Sequence, residues 1–185
     1  MDETLIHCVD DIYEEQPQHI IQIQFPEEDG PVDAGINIRP FAAECLQEAR
    51  KYFYVIVFTA SMQTYADAVL DLLDPNRELI DMRLYWDSCY RTKDNVYIKD
   101  LRIFDIALED IIIVDNAVYS FGFQLLNGIP IIPFYEDEED EELYHLIPFM
   151  EDIVEEEDMR TKIQESFKLN ELADLDLEEI EKLFN

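Results

Sequence analysis

The chain has 185 residues, 48% of them hydrophobic, which is enough for one domain with a real core. Its 44 acids against 13 bases leave a formal charge of -31, a balance that argues against binding nucleic acid or an anionic membrane and favours solubility or a basic protein partner. There is no signal-peptide pattern and no apolar stretch long enough to span a bilayer, and Cys8, Cys45 and Cys89 are scattered without metal-ligand spacing, so the expectation is an intracellular protein with reduced thiols, nuclear or cytoplasmic.

Taken in order, the chain opens abruptly with Met1 to Cys8 and passes into an acid-rich loop from Asp10 to Glu15. His19 to Phe25 alternates isoleucine with glutamine and reads as a half-exposed strand. After the Pro26–Gly30 break, Gly35 to Pro40 is extended, and Phe41 to Lys51 carries apolar residues at helical spacing. Arg39, beside that helix start, either holds a partner or pairs with a local acid. Tyr54 to Phe58 is a continuous apolar run, the mark of a strand buried on both faces. It ends in Thr59-Ala60-Ser61 before a helix from Met62 to Leu73, whose first turn either hydroxyl could cap; a helix amino end also offers N–H groups to a phosphate.

Asp81 to Tyr85 reads as a third strand, and Trp86 to Val96 as a small hairpin over the sheet edge. Lys99 lies beside Asp100, where an exposed ion pair is the plain alternative to a functional role. Asp110 to Asn116 is a second buried strand ending in an acid and an amide. Ile129 to Pro133 reads as an edge strand, and helices are expected at Glu138–Met150, Met159–Leu169 and Leu175–Phe184. Alternating strands and helices make a parallel α/β domain. The acid runs at Asp10–Glu15, Pro26–Asp29, Glu136–Glu142 and Glu151–Asp158 are solvated faces or, alternatively, a docking surface.

Open α/β sheets place their sites at the carboxyl ends of strands, and oxygen ligands such as Asp115 and Asn116 suit a hard cation like Mg²⁺. An Asp-Asn pair is also an ordinary turn signal. Asp2, Thr59, Lys99 and Asp115-Asn116 nevertheless follow one another in chain order, each near a strand end. An acid, a hydroxyl, a lysine and a second acidic pair are what phosphoryl transfer needs, since positioning and charge stabilisation do most of that work. Two-component receivers use similar parts, but there the lysine follows the acid; here Lys99 precedes Asp115.

These motifs resemble haloacid-dehalogenase-superfamily phosphatases of the RNA-polymerase C-terminal-domain type, also called NLI-interacting-factor-like. The family carries Asp-Leu-Asp-Glu-Thr-Leu-Val/Ile-His at its first strand end, and this chain reads Met1-Asp2-Glu3-Thr4-Leu5-Ile6-His7. Phe58-Thr59-Ala60-Ser61, Tyr65-Ala66-Asp67, Ser88-Cys89, Tyr97-Ile98-Lys99-Asp100-Leu101 and Asp115-Asn116 fall in family order. The likeness runs from Asp2 to about Ile153, and Leu146 to Ile153 looks like the family's closing helix.

The resemblance implies a haloacid-dehalogenase-like three-layer fold with a central parallel sheet and a small hairpin insertion. Residues 1–153 would form the phosphatase-like domain and 154–185 a helical extension. It implies Mg²⁺-dependent hydrolysis of phosphoserine or phosphothreonine in a phosphoprotein, through a phospho-aspartate. Asp2 would be the general acid and base, its carbonyl facing Mg²⁺. Thr59 would bind the phosphoryl oxygens and Lys99 would neutralise nucleophile and phosphate. Asn116 would be a metal ligand, with Asp115 ordering the metal site.

The family nucleophile stands two residues before Asp2, and this sequence has no residue there. Its first strand is missing too, so two neighbouring strands should be left with unpaired backbone groups and the chain should be inactive as it stands. Trp86 replaces a frequent arginine, and Ala117-Val118 replaces the usual Ser-Pro. Two function classes follow: a truncated phosphatase domain, or a catalytically silent module that binds phosphopeptides or a basic partner.

Overall fold

The two continuous apolar runs form the central strands of a computed structural model that describes residues 1–173. Strand β4 (Ile56–Phe58) pairs in parallel with β5 (Met82–Leu84), in the register Ile56 to Met82. Strand β8 (Ile113–Asp115) pairs in parallel with β9 (Gly128–Pro130), in the register Ile113 to Gly128. Both are shorter than the runs that predict them. A short 3₁₀ turn, Leu108–Asp110, ends where the second run begins, and Ile111 and Ile112 precede β8 without regular structure. Among the described residues the parallel strands form these two separate pairs rather than one continuous sheet.

A three-stranded antiparallel sheet lies upstream, in the order β1-β3-β2, from Ile6–Cys8 (β1), His19–Ile23 (β2) and Val32–Ile38 (β3). The half-exposed reading of β2 holds, whereas β1 gave no signal in the sequence. It has only three residues, and the strand that pairs with it begins at Val32. Gly35 lets the acid-rich loop cross β3: a Cβ there would stand 2.5 Å from Val9 Cγ2 and 2.6 Å from Pro17 Cγ. The hairpin is real but displaced, pairing Tyr90–Arg91 (β6) with Tyr97–Ile98 (β7), while Trp86–Ser88 forms a 3₁₀ turn.

Helix α1 (Ala42–Ala49) buries Ala42, Cys45, Leu46 and Ala49, and packs against α3 (Glu142–Ile153), which buries Leu143, Leu146, Met150 and Ile153. Helix α2 (Gln63–Leu73) buries Ala66, Val69, Leu70 and Leu73. No side chain caps it, so the expected capping by Thr59 or Ser61 is corrected: both hydroxyls point elsewhere. Helix α4 (Met159–Phe167) sends Met159 and Ile163 into the same core, and α5 (Leu169–Ala173) follows. The helix expected at Leu175–Phe184 lies outside the described residues.

Candidate active site

Asp2 is presented on a tight turn. The Met1 carbonyl accepts from the N–H groups of Thr4, Leu5 and Ile6 at 3.2, 2.9 and 3.4 Å, and Glu3 takes a left-handed conformation with φ 51°. Two outside groups fix the turn. The buried Arg39 guanidinium donates to the Thr4 carbonyl at 3.3 Å, and the Thr4 hydroxyl donates to Asn116 Oδ1 at 3.2 Å. The turn is thus fastened to the end of β8, 112 positions away.

Three hydroxyls converge on the Asp2 carboxylate. Tyr65 Oη donates to Oδ1 at 2.9 Å, while Ser61 Oγ and Thr59 Oγ1 reach Oδ2 at 2.8 and 3.3 Å. The Thr59 oxygen also accepts from the Ser61 N–H at 3.1 Å. Burial, and then the negative charge of Asp2, push the Tyr65 phenol well above its ordinary value, so it stays a donor. Ser61 lies just before α2 and Tyr65 in its first turn, so the start of the helix brings both hydroxyls to Asp2. The sequence reads Tyr65 as part of the helix's apolar side and Ser61 as a cap, so neither role toward Asp2 is visible in it.

Lys99 is buried, and its ammonium is ion-paired with Asp115 Oδ2, also buried. The exposed pairing with Asp100 is thereby corrected, because Asp100 binds Arg102 instead. Asp115 Oδ1 accepts from the Ala117 N–H at 2.8 Å, so this carboxylate is held at both oxygens. Cys89 Sγ lies 3.7 Å from the Thr59 carbonyl, and burial pushes its thiol up to about 11 despite the nearby Lys99, so it is no nucleophile at neutral pH.

Asp2, Thr59, Lys99, Asp115 and Asn116 all line one cavity of about 450 Å³, with Asn95, Val96 and Tyr97 of the hairpin and Tyr119 at its sides. The donors at its base are carboxylate, amide and carbonyl oxygens, the kind a hard divalent cation takes. Among the described residues no three acid, histidine or cysteine side chains form a metal cluster. Mg²⁺ needs fewer, since it usually keeps several waters and takes one or two carboxylates.

An α/β fold that brings a hydrogen-bonded aspartate, a threonine, a buried lysine and an Asp-Asn pair together at strand ends defines the haloacid-dehalogenase class of phosphoryl-transfer proteins. The chain belongs to the NLI interacting factor-like phosphatase family, whose model matches residues 1–160. It is 43% identical to CTD small phosphatase-like protein 2 of Dictyostelium discoideum over 172 residues, 93% of this chain and 30% of that protein. It is 36% identical to the human CTD small phosphatase-like protein over 161 residues, 86% of this chain and 56% of the relative. The chain therefore spans about a third to a half of the length of these relatives. In fold it resembles Fcp1, described as an essential RNA polymerase II CTD phosphatase, with a TM-score of 0.71, 18% identity, and coverage of 84% of this chain and 60% of the other.

Proposed function

We propose that these residues form the greater part of a Mg²⁺-dependent protein serine/threonine phosphatase domain that works through a phospho-aspartate. Residues 1–153 make the domain and 154–185 a C-terminal extension, of which the described part forms α4 and α5. One observation carries this reading: the Asp2 carboxylate, gripped by Thr59, Ser61 and Tyr65, shares a cavity with the buried Lys99–Asp115 pair.

Asp2 holds the proton that goes to the leaving serine or threonine oxygen, and takes one back from the attacking water. Thr59 gives a hydrogen bond to the phosphoryl oxygens, and Lys99 offsets their charge. Asp115, Asn116 and the Asp2 carbonyl would hold Mg²⁺, which when bound neutralises charge on the phosphoryl group. The covalent step needs a carboxylate two positions before Asp2, and none of the 185 residues stands there. The substrate is a phosphoprotein and the setting intracellular, nuclear or cytoplasmic. The three cysteines, all unpaired, fit a reducing compartment.

The test compares two proteins. The 185-residue chain should hydrolyse neither p-nitrophenyl phosphate nor phosphoserine peptides with Mg²⁺. A second protein carries about eight extra residues, a β-branched run ending in Asp-Leu placed directly before Asp2, a typical strand length. It should turn over both substrates, and Lys99→Ala or Asn116→Ala should remove about a hundredfold or more of the rate. An extended protein that folds, binds Mg²⁺ and turns over nothing would overturn the reading in favour of a silent phosphopeptide-binding module.

A further inference from the structure

The antiparallel sheet ends in β2, and among the described residues no strand pairs with its outer edge. The sheet's own bonds show which groups that edge presents. Val9 N–H bonds to the Gly35 carbonyl at 2.9 Å and Arg39 N–H to the Leu5 carbonyl at 3.0 Å, so positions 35, 37 and 39 turn their backbone away from β2. Ala34 and Ile36 therefore face β2, opposite Ile21 and His19. The alternate residues of β2, Ile20 and Gln22, turn their N–H and carbonyl groups outward.

Natural edges are usually guarded by a lysine, a proline, a bulge or a covering element. From Gln18 to Phe25 there is no lysine, proline or glycine, and no acid. The pairing of β2 with β3 runs residue for residue from His19–Ile36 to Ile23–Val32, without a bulge. Ile21 and Ile23 pack inward, while Ile20 and Gln22 are exposed. The edge is straight, uncharged, rich in β-branched residues and open to another chain.

Charge selects the occupant. Residues 1–38 contain ten acids and no lysine or arginine. The first base, Arg39, is buried and already held by Asp140 and the Thr4 carbonyl. Asp10, Asp11, Glu14 and Glu15 are exposed in the loop before β2, and Glu27, Glu28 and Asp29 in the turn after it. An antiparallel pair of copies would bring the loop of one against the turn of the other, acid against acid. A segment with bases at both ends meets opposite charge instead. We propose that the outer edge of β2 is a docking site for an extended segment of a basic partner protein. The segment adds a fourth strand by backbone bonds to Ile20 and Gln22. Lysines or arginines beyond each end of the paired stretch meet the two acid runs.

This inference is independent of any chemistry at Asp2, and its test reads binding and amide exchange rather than turnover. The probe is a blocked peptide of alternating threonine and valine with a Lys-Arg pair at each end, titrated into the full chain and, in parallel, into the extended protein. At about a hundred times its Kd, the amides of Ile20 and Gln22 should exchange about a hundredfold more slowly than without it. The same peptide with every central amide N-methylated keeps its charge and loses its donors, and should bind about tenfold or more weakly. Glutamates in place of the four bases should weaken binding at least as much. Gln22→Pro deletes one outward N–H at an edge position where proline is tolerated, and should also weaken the parent peptide. The N-methylated peptide reads the same bonds in the unaltered protein, so the test does not depend on that variant folding. No binding of the parent peptide overturns the proposal. Equal binding of the N-methylated peptide does so too, since the acids alone would then attract it, as does equal binding of the glutamate peptide. Protection of Ile20 and Gln22 that grows with protein concentration in the absence of peptide would assign the edge to a second copy instead.

Discussion

The three hydroxyls around Asp2 leave its carboxylate little freedom, and each can be removed singly. Tyr65→Phe deletes the donor to Oδ1 and leaves both donors to Oδ2. A hydrogen bond to a charged group is worth about 1.5–3 kcal/mol, so kcat of the extended protein should fall about tenfold or more while KM stays near its original value. A change confined to KM would mean that Tyr65 binds substrate instead of orienting Asp2. Lys99 is a different case, because its removal strands Asp115, a buried carboxylate, which typically costs about 3–5 kcal/mol. Urea titration of Lys99→Ala beside its kinetics separates lost folding from lost chemistry. The convergence of Thr59, Lys99, Asp115 and Asn116 was legible because each ends or follows a strand, whereas Asp2 was legible only through the likeness of Met1 to His7 to the family motif. The roles of Ser61 and Tyr65 toward Asp2 were not. A hydroxyl before a helix signals a cap, and a tyrosine among apolar residues signals core, until the turn carrying Asp2 is placed opposite them.

Elements are held at their ends by buried ion pairs that join distant parts of the chain. Arg39, just after β3, is almost wholly buried and grips Asp140 through Nε and Nη2, both at 2.7 Å. One of the four acid runs thus contains a structural carboxylate. Arg39→Met should destabilise the fold by about 3–5 kcal/mol in urea titration, since Asp140 loses its partner and the Thr4 carbonyl its donor. A loss below about 1 kcal/mol would mean the pair is only a surface contact. On α2, Asp67 accepts from Arg83 at 2.9 Å and Tyr85 at 2.8 Å, tying the helix to β5 and the turn after it. Burial raises the Asp67 carboxyl, but these bonds outweigh it and hold it below its ordinary value of 3.8. A carboxyl lowered in the folded state adds stability above its unfolded pKa and loses it as pH falls through the folded one. Asp67→Asn should therefore be less stable than the parent protein at pH 7, and the gap should narrow as pH falls through the lowered carboxyl's titration, by denaturant titration at each pH. Strands β4 and β8, only partly buried, and the helices with periodic apolar residues were readable from the chain, because each pattern is local. Strand β1 and the Arg39–Asp140 pair were not, since each depends on a contact made far along the sequence.

At the scale of the whole molecule, the charge of -31 works against the proposed substrate, because a phosphate group approaches a protein of its own sign. Within the cavity Lys99 is paired with Asp115, so little of its charge is felt by a peptide approaching from outside. Nearby cations sit on the hairpin, where Arg91 stacks over the Tyr97 ring at 5.8 Å and Lys93 precedes the cavity-lining Asn95. Neither offsets an excess of 31 acids, so attraction must come from the residues that flank the phosphate in its peptide. Phosphopeptides with flanking lysines should be preferred at low salt, and those with flanking glutamates disfavoured. Raising NaCl from about 20 mM to about 300 mM shortens the screening length from about 20 Å to about 6 Å. Over that range kcat/KM of the extended protein should fall for the lysine-flanked peptide and rise for the glutamate-flanked one, so that the two values converge. A neutral-flanked peptide should rise slightly, since only its phosphate is repelled. Parallel slopes for all three peptides would show that the net charge is not felt at the site, and that selection rests on contacts inside the cavity alone.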